Sequence, residues 1–175
     1  ADEGKTWEVM NFGYAYADFL SEDEIRYNPC YAMAYHKGKL YAADFNGGGV
    51  VYSEDFGETW TLTDRESLMY DISGGKAPAL KDEKPTKVME NFYNMVSFNG
   101  DLYLFGVYFV YRLNEETGLW ETIRSDSNFM GITTIFNDTL ACGRSVMNYG
   151  DHVPFLETTQ NGEDWGEQKR SEGKL

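Results

Sequence analysis

The chain has 175 residues, enough for one domain with a sizeable core, and carries 15 Lys plus Arg against 29 Asp plus Glu, a formal charge of −14. An acidic surface of this kind keeps a protein in solution and repels nucleic acid phosphates and anionic lipid headgroups, so neither is expected as a partner. No run of 18 or more apolar residues is present, so membrane insertion is not expected, and Ala1 to Lys5 opens on polar residues without the pattern of a secretory leader.

Along the chain one order of signals recurs three times: an apolar strand, a tight turn, a second strand, a third strand, a Gly-containing turn and a Trp. The first copy, over about 29–63, has Tyr31 to Tyr35, the turn His36 to Lys39, Leu40 to Ala43, Val50 to Tyr52, and Ser53 to Trp60. The second, over about 91–124, has Met95 to Phe98, Asn99-Gly100, Asp101 to Phe105, Phe109 to Leu113, and Asn114 to Trp120. The third, over about 129–170, has Ile132 to Phe136, Asn137-Asp138, Thr139 to Cys142, Pro154 to Glu157, and Thr158 to Trp165.

Asn-Gly between two alternating runs predicts a two-residue hairpin, because a type I′ turn requires φ > 0 at both central residues. The hairpin leucines Leu40, Leu102 and Leu140 precede Trp60, Trp120 and Trp165 by 18 to 25 residues, the near-constancy a repeated unit requires. Longer connections are expected from Gly13 to Asn28 and from Asp64 to Glu90, where charge, Gly and Pro collect. No segment has a 3.6-residue apolar period of helical length, although Asp64 to Tyr70 fits a short helical turn, and the class is all-β. Cys30 and Cys142 sit in strand-like contexts without metal-ligand spacing, and both a pair of buried thiols and a disulfide remain open.

Ser53-Glu54-Asp55-Phe56-Gly57-Glu58-Thr59-Trp60 matches Ser-x-Asp-x-Gly-x-Thr-Trp at all five defined positions, and so resembles the Asp-box, or bacterial neuraminidase repeat, of sialidase-like β-propellers. Thr158 to Trp165 is similar, with Gly162 and Trp165 kept, Thr158 for Ser, Gln160 for Asp and Asp164 for Thr. Asn114 to Trp120, with Gly118 and Trp120, is a more remote relative, and Asp2 to Trp7, with Asp2, Gly4 and Trp7, looks like a box lacking its first two residues. The box residues are expected to be structural: a carboxylate such as Asp55 accepts turn amides, Gly57 supplies a conformation costly for other residues, and Trp60 packs beneath the hairpin.

The resemblance implies one partial propeller over 1–175, with three four-stranded antiparallel blades and residues 6–12 as the outer strand of a preceding blade. A propeller ring needs four to eight blades, so the remaining blades would come from a longer polypeptide or from identical chains assembled symmetrically.

It also implies that the box lies opposite the ligand face, leaving function to the loops between second and third strands and to the connections between blades. From the first set come Asp44, Asn46, Gly47, Gly48, Tyr108, Arg144, Asn148, Tyr149 and His152. From the second come Arg26, Tyr27, Asn28, Tyr93, Asn94 and Asn128. Aromatic faces suit apolar faces of sugars and planar amides suit their hydroxyls.

In sialidases an arginine trio grips the substrate carboxylate, with a Tyr–Glu nucleophile and an acidic proton donor. Here no Phe-Arg-Ile-Pro segment is present, Arg112 lies on a third strand and Arg170 in the tail, so no catalytic residue is assigned. Any other glycosidase needs two converging carboxylates, for which Asp18, Asp23, Asp44, Asp71 and Glu90 are the candidates on the ligand face. The leading expectation is a non-catalytic recognition or scaffold propeller, extracellular, cell-surface or periplasmic, that binds a carbohydrate or protein partner through its loop face. The alternative is a fragment of a sialidase-like glycoside hydrolase. No cofactor or metal is expected, since His36 and His152 are far apart and no loop has calcium-ligand spacing.

Overall fold

A computed structural model describes residues 30–44, 49–71, 87–125, 132–148 and 151–168. Strands β1 (Cys30–His36), β2 (Lys39–Asp44), β3 (Val50–Ser53) and β4 (Thr61–Leu62) form the first sheet, in that order. A 3-10 turn over Glu66–Leu68 leads into β5 (Met69–Asp71), which pairs with β6 (Lys87–Met89) as a two-stranded ribbon. The second sheet holds β7 (Phe92–Phe98), β8 (Asp101–Gly106), β9 (Phe109–Asn114) and β10 (Leu119–Ser125). The third holds β11 (Thr133–Phe136), β12 (Thr139–Asn148), β13 (Asp151–Thr159) and β14 (Gly166–Gln168). All pairings are antiparallel between chain neighbours, and among the described residues no helix is long and apolar enough to cross a membrane.

Each four-stranded sheet begins with a two-residue hairpin whose central residues both have positive φ: Lys37-Gly38 (44° and 87°), Asn99-Gly100 (52° and 84°) and Asn137-Asp138 (45° and 56°). The Asn-Gly expectation holds, and Asp138 takes the left-handed conformation that short polar side chains tolerate.

The middle sheet explains its own sequence. Leu102, Tyr103, Leu104 and Phe105 of β8 are all buried, because successive side chains point to opposite faces and both faces are covered. Leu102 and Leu104 pack towards Ala32, Ala43 and Val50 of the first sheet, while Tyr103 and Phe105 pack towards Leu140, Cys142 and Trp165 of the third. In β1, covered on one side, buried Ala32 and His36 alternate with exposed Tyr31, Met33 and Tyr35. Full burial of each leucine is worth roughly 1.5–3 kcal/mol, so the middle sheet anchors the stack.

The turns before β4, β10 and β14 are stapled by side chains. In the first, Ser53 Oγ donates to Asp55 Oδ1 at 2.7 Å and accepts from the Gly57 amide at 2.7 Å. Asp55 then accepts from the Thr59 amide at 2.8 Å and the Thr59 hydroxyl at 2.5 Å. Gly57, at φ 99°, occupies the left-handed region, and Trp60 packs on Ala42 and Val51.

In the third turn the staple sits one residue later than the match of Thr158 to Trp165 to the box pattern places it. Thr159, not Thr158, accepts from the Gly162 amide at 2.8 Å, and Asn161, not Gln160, accepts from the Glu163 and Asp164 amides at 3.0 and 2.9 Å. This turn is one residue shorter than the first, so matching it from its Trp misplaces the side chains before the gap. Asn161 Nδ2 also donates to Asp164 Oδ2 at 2.8 Å, a bond an aspartate there could not make. In the second turn Asn114 Oδ1 accepts from the Glu116 and Thr117 amides at 3.1 Å each, and Gly118 has φ 72°.

Three further expectations are corrected. The connection from Asp64 to Glu90 is not wholly loop, because β5 and β6 pair within it. Tyr93 and Asn94 belong to β7 rather than to a connection, next to the register shift between Phe92 and Asn94. Arg144, Asn148 and His152 lie in long paired strands, with Met147 opposite His152 and Asn148 opposite Asp151, because β12 and β13 stay paired far beyond Cys142 and Pro154.

Candidate functional site

The hairpins and stapled turns share one end of each sheet, and the turn from β8 to β9 lies at the other. At that second end, the turn from β8 to β9 is held by Glu90, which enters from the ribbon β5–β6 just ahead of β7. Its Oε2 accepts from the Tyr108 amide at 2.6 Å and its Oε1 from the Phe109 amide at 3.2 Å, and the side chain is buried. Gly106 is required here, since a Cβ at that position would collide with the Glu90 carboxylate.

Burial pushes the Glu90 carboxyl up to about 7, while hydrogen bonds from Tyr108, Tyr111, Phe109 and Val107 hold it from rising further. Burial likewise raises the Tyr111 hydroxyl, with the Glu90 charge adding to the effect, and raises Tyr70 in the same sense. Around this acid stands an aromatic cluster: Tyr70 to Phe109 at 5.1 Å, Tyr70 to Tyr108 edge-on at 6.2 Å, and Phe109 to Tyr111 at 5.9 Å. Tyr108 is exposed at the tip of the turn. The arrangement presents aromatic faces and phenolic hydroxyls from a backbone that Glu90 locks, and it places a protonatable carboxyl directly beneath them.

At the opposite end a recess of about 310 Å³ opens between the first and second sheets, with His36, Lys39, Tyr41, Tyr52 and Glu115 in its wall. Its charges are mutually satisfied. His36 bridges Ser97 Oγ at 2.7 Å and Glu115 Oε1 at 2.8 Å, and Lys37 reaches the same Glu115 oxygen at 2.6 Å. The Lys37 hydrogen bond first, and that from His36 second, hold the Glu115 carboxyl below its ordinary value. Lys39 is tied to Glu54 at 2.8 Å and lies over the Tyr52 ring.

Among the sequence-derived candidates, Tyr108 is the one placed in the aromatic cluster, and Glu90 is the acidic candidate found beneath it. Tyr93 and Asn94 lie on β7, Asp44 ends β2 opposite Cys30, and Arg144, Asn148 and His152 lie on β12 and β13 of a different sheet. Arg26, Tyr27, Asn28, Asn46, Gly47, Gly48, Asn128 and Tyr149 fall outside the described residues, as do Asp2, Gly4 and Trp7, and residues 6–12. Arg112 is surrounded by Glu163 at 3.2 Å, Glu121 at 3.6 Å and Asp101 at 4.0 Å, so its guanidinium is committed within the protein. Cys30 and Cys142 are thiols in separate clusters, Cys30 beside Ala42 and Val51, and Cys142 with Leu140 and Phe98. Among the described residues no three His, Cys, Asp or Glu side chains gather in a form that could hold a metal ion.

Sequence reasoning missed Tyr70 and Tyr111. The short helical turn that the sequence allows over Asp64 to Tyr70 is present at Glu66–Leu68, but Tyr70 lies beyond it on β5, and only the ribbon β5–β6 carries it across to Phe109. The alternation Phe109-Val110-Tyr111 was a usable signal, since it puts Phe109 and Tyr111 on one face.

No protein-family model matches this chain, and no curated protein sequence is similar to it. Among solved structures it is similar to Zg3597, a family 117 glycoside hydrolase produced by the marine bacterium Zobellia galactanivorans, with a TM-score of 0.44 and 16% identity over 77% of this chain. The match covers 43% of the length of that protein.

Proposed function

We propose that this chain is a three-blade portion of an Asp-box β-propeller that serves as a recognition module, binding a carbohydrate or a protein segment through the end that carries Tyr108. The observation behind this reading is the Tyr70–Tyr108–Phe109 cluster, an aromatic surface displayed at a turn whose backbone is clamped by Glu90. Aromatic rings offer apolar faces to sugar rings and hydroxyls to their rims, and a turn already fixed in place loses little entropy on binding. Glu90 supports this role as a clamp, because both of its oxygens accept backbone amides.

The test is titration of the chain with a panel of neutral and acidic oligosaccharides, followed by intrinsic fluorescence. Saturable binding that Tyr108→Ala weakens about five- to tenfold is expected. Absence of binding across the panel, or binding untouched by Tyr108→Ala, overturns the carbohydrate reading of this surface.

The alternative of a glycoside hydrolase rests on one observation, the Glu90 carboxyl raised to about 7, which suits a general acid. It predicts hydrolysis of aryl glycosides with a pH limb near 7 that Glu90→Gln abolishes. A purified chain inactive from pH 4 to pH 9 on such substrates overturns it.

A further inference from the structure

The three sheets are stacked so that each joint is made from two different faces, and among the described residues the stack leaves one face of each kind without a partner sheet. Superposing the hairpin turns makes Met33 of β1 equivalent to Met95 of β7, and makes His36, Phe98 and Phe136 equivalent as the residues just before each turn. Met95 faces the first sheet and is 6% exposed, whereas Met33, on the far side of the first sheet, is 49% exposed. Phe98 faces the third sheet and is 4% exposed, whereas Phe136, on the far side of the third sheet, is 70% exposed. Val50 and Val110, paired with Ala43 and Phe105, are buried in the two joints; their counterpart Leu156, paired with Gly143, is exposed.

The tryptophans repeat the same asymmetry. Trp120 packs into the joint with the first sheet, its Nε1 donating to Thr63 Oγ1 at 3.2 Å, and Trp165 packs edge-on against Phe105 of the second sheet at 6.1 Å. Both point towards the preceding sheet. Trp60, on the Ala42 and Val51 face, points away from the second sheet, onto the face that carries Met33, Tyr35 and Phe56. On the third sheet Phe136, Asn137, Thr139 and Thr158 line an open recess of about 870 Å³. The equivalent recess on the first sheet, lined by His36, Lys37, Lys39 and Tyr52, is about 310 Å³ and is capped by Leu113, Glu115 and Gly118 of the next sheet.

We infer that the Met33–Tyr35 face of the first sheet and the Phe136–Leu156 face of the third are the two halves of one further joint, made between two copies of this chain in head-to-tail order. The occupant is a second copy because the chain itself carries both halves, and their union repeats the two joints already present. Two three-sheet units joined twice in this way close a ring of six sheets, which removes the exposed end faces. The inference is independent of what the Tyr108 surface binds.

Light scattering after size exclusion, on the 175-residue chain from micromolar to near-millimolar concentration, reads the outcome. The mass of two chains is expected at the upper concentrations. Met33→Glu and Phe136→Glu are each expected to reduce it to one chain, since a carboxylate then sits in the joint; both sites are exposed in the single chain, so its circular dichroism is unchanged. Mixing the two variants in equal amounts restores pairing, because each mixed pair retains one joint with both halves intact. A single-chain mass at every concentration, a pair indifferent to both substitutions, or a mixture that stays monomeric overturns the inference. The first of these results would leave further sheets of a longer polypeptide as the occupant of both faces.

Discussion

Arg124 of β10 grips Glu157 of β13 across the joint between the second and third sheets, with Nη1 to Oε2 at 2.7 Å and Nη2 to Oε1 at 3.1 Å. Glu157 is buried and the Arg124 side chain is 18% exposed, with the guanidinium 5.8 Å from the Trp165 ring centroid. Two parallel bonds to a buried carboxylate fix geometry as well as charge.

Removing one partner therefore costs more than removing both. Arg124→Ala leaves a buried carboxylate and is expected to destabilise the chain by about 3 to 5 kcal/mol, while Arg124→Met with Glu157→Leu stays close to the parent. Urea denaturation of the two variants checks the difference, and equal losses would show that the pair does not act as a unit.

The stability of the chain is expected to carry a pH dependence from Glu90. Its folded value of about 7 lies above the ordinary 4.5, so the folded state holds a proton that the unfolded state releases. The contribution is complete below pH 4.5 and declines as pH rises to about 7, by on the order of 3 kcal/mol in total. Glu90→Gln should flatten the denaturation midpoint over that window; a variant with the parent profile would assign the dependence elsewhere.

Gly106 and Glu90 should be coupled. Gly106→Ala drives a methyl into the Glu90 carboxylate and is expected to cost about 1 to 3 kcal/mol. In a Glu90→Ala background the same methyl has room, so the two losses should not add. A double-mutant cycle by chemical denaturation measures the coupling, and strict additivity would contradict the packing described.

The Asp55 staple gives a sign opposite to that of Glu90. Hydrogen bonds from the Thr59 hydroxyl and amide hold its carboxyl at about 2, so its stabilising contribution is present above the ordinary 3.8 and fades as pH falls towards 2. Asp55→Ala should lower the melting temperature at neutral pH and remove this acid limb. Asp55→Asn should keep part of the stability, because Asn161 accepts the corresponding amides in the third turn. Identical melting of Asn and Ala variants would refute the staple.

The all-β class, the antiparallel four-stranded sheets and the Asn99-Gly100 hairpin were legible in the sequence because each depends on local rules. Side-chain alternation writes the strand period into adjacent residues, positive φ selects Gly and Asn at turns, and a Ser, an Asp and a Thr at fixed spacing can close their own hydrogen bonds. Even the continuous run Leu102 to Phe105 announces a strand covered on both faces.

The candidate site was legible only in pieces. Tyr108 could be placed at a turn tip, but Tyr70 lies 38 positions earlier and meets it only because β5 and β6 pair and deliver Glu90 beneath the turn. The third staple was read one residue early, since a single deletion leaves Gly162 and Trp165 in register while shifting Thr159 and Asn161. Local turns, strand periods and charge balance were thus determined by the sequence by itself. The raised Glu90 carboxyl, the Arg124–Glu157 clasp and the two unequal outer faces were decided by tertiary structure, because burial and proximity between distant segments exist only once the sheets are stacked.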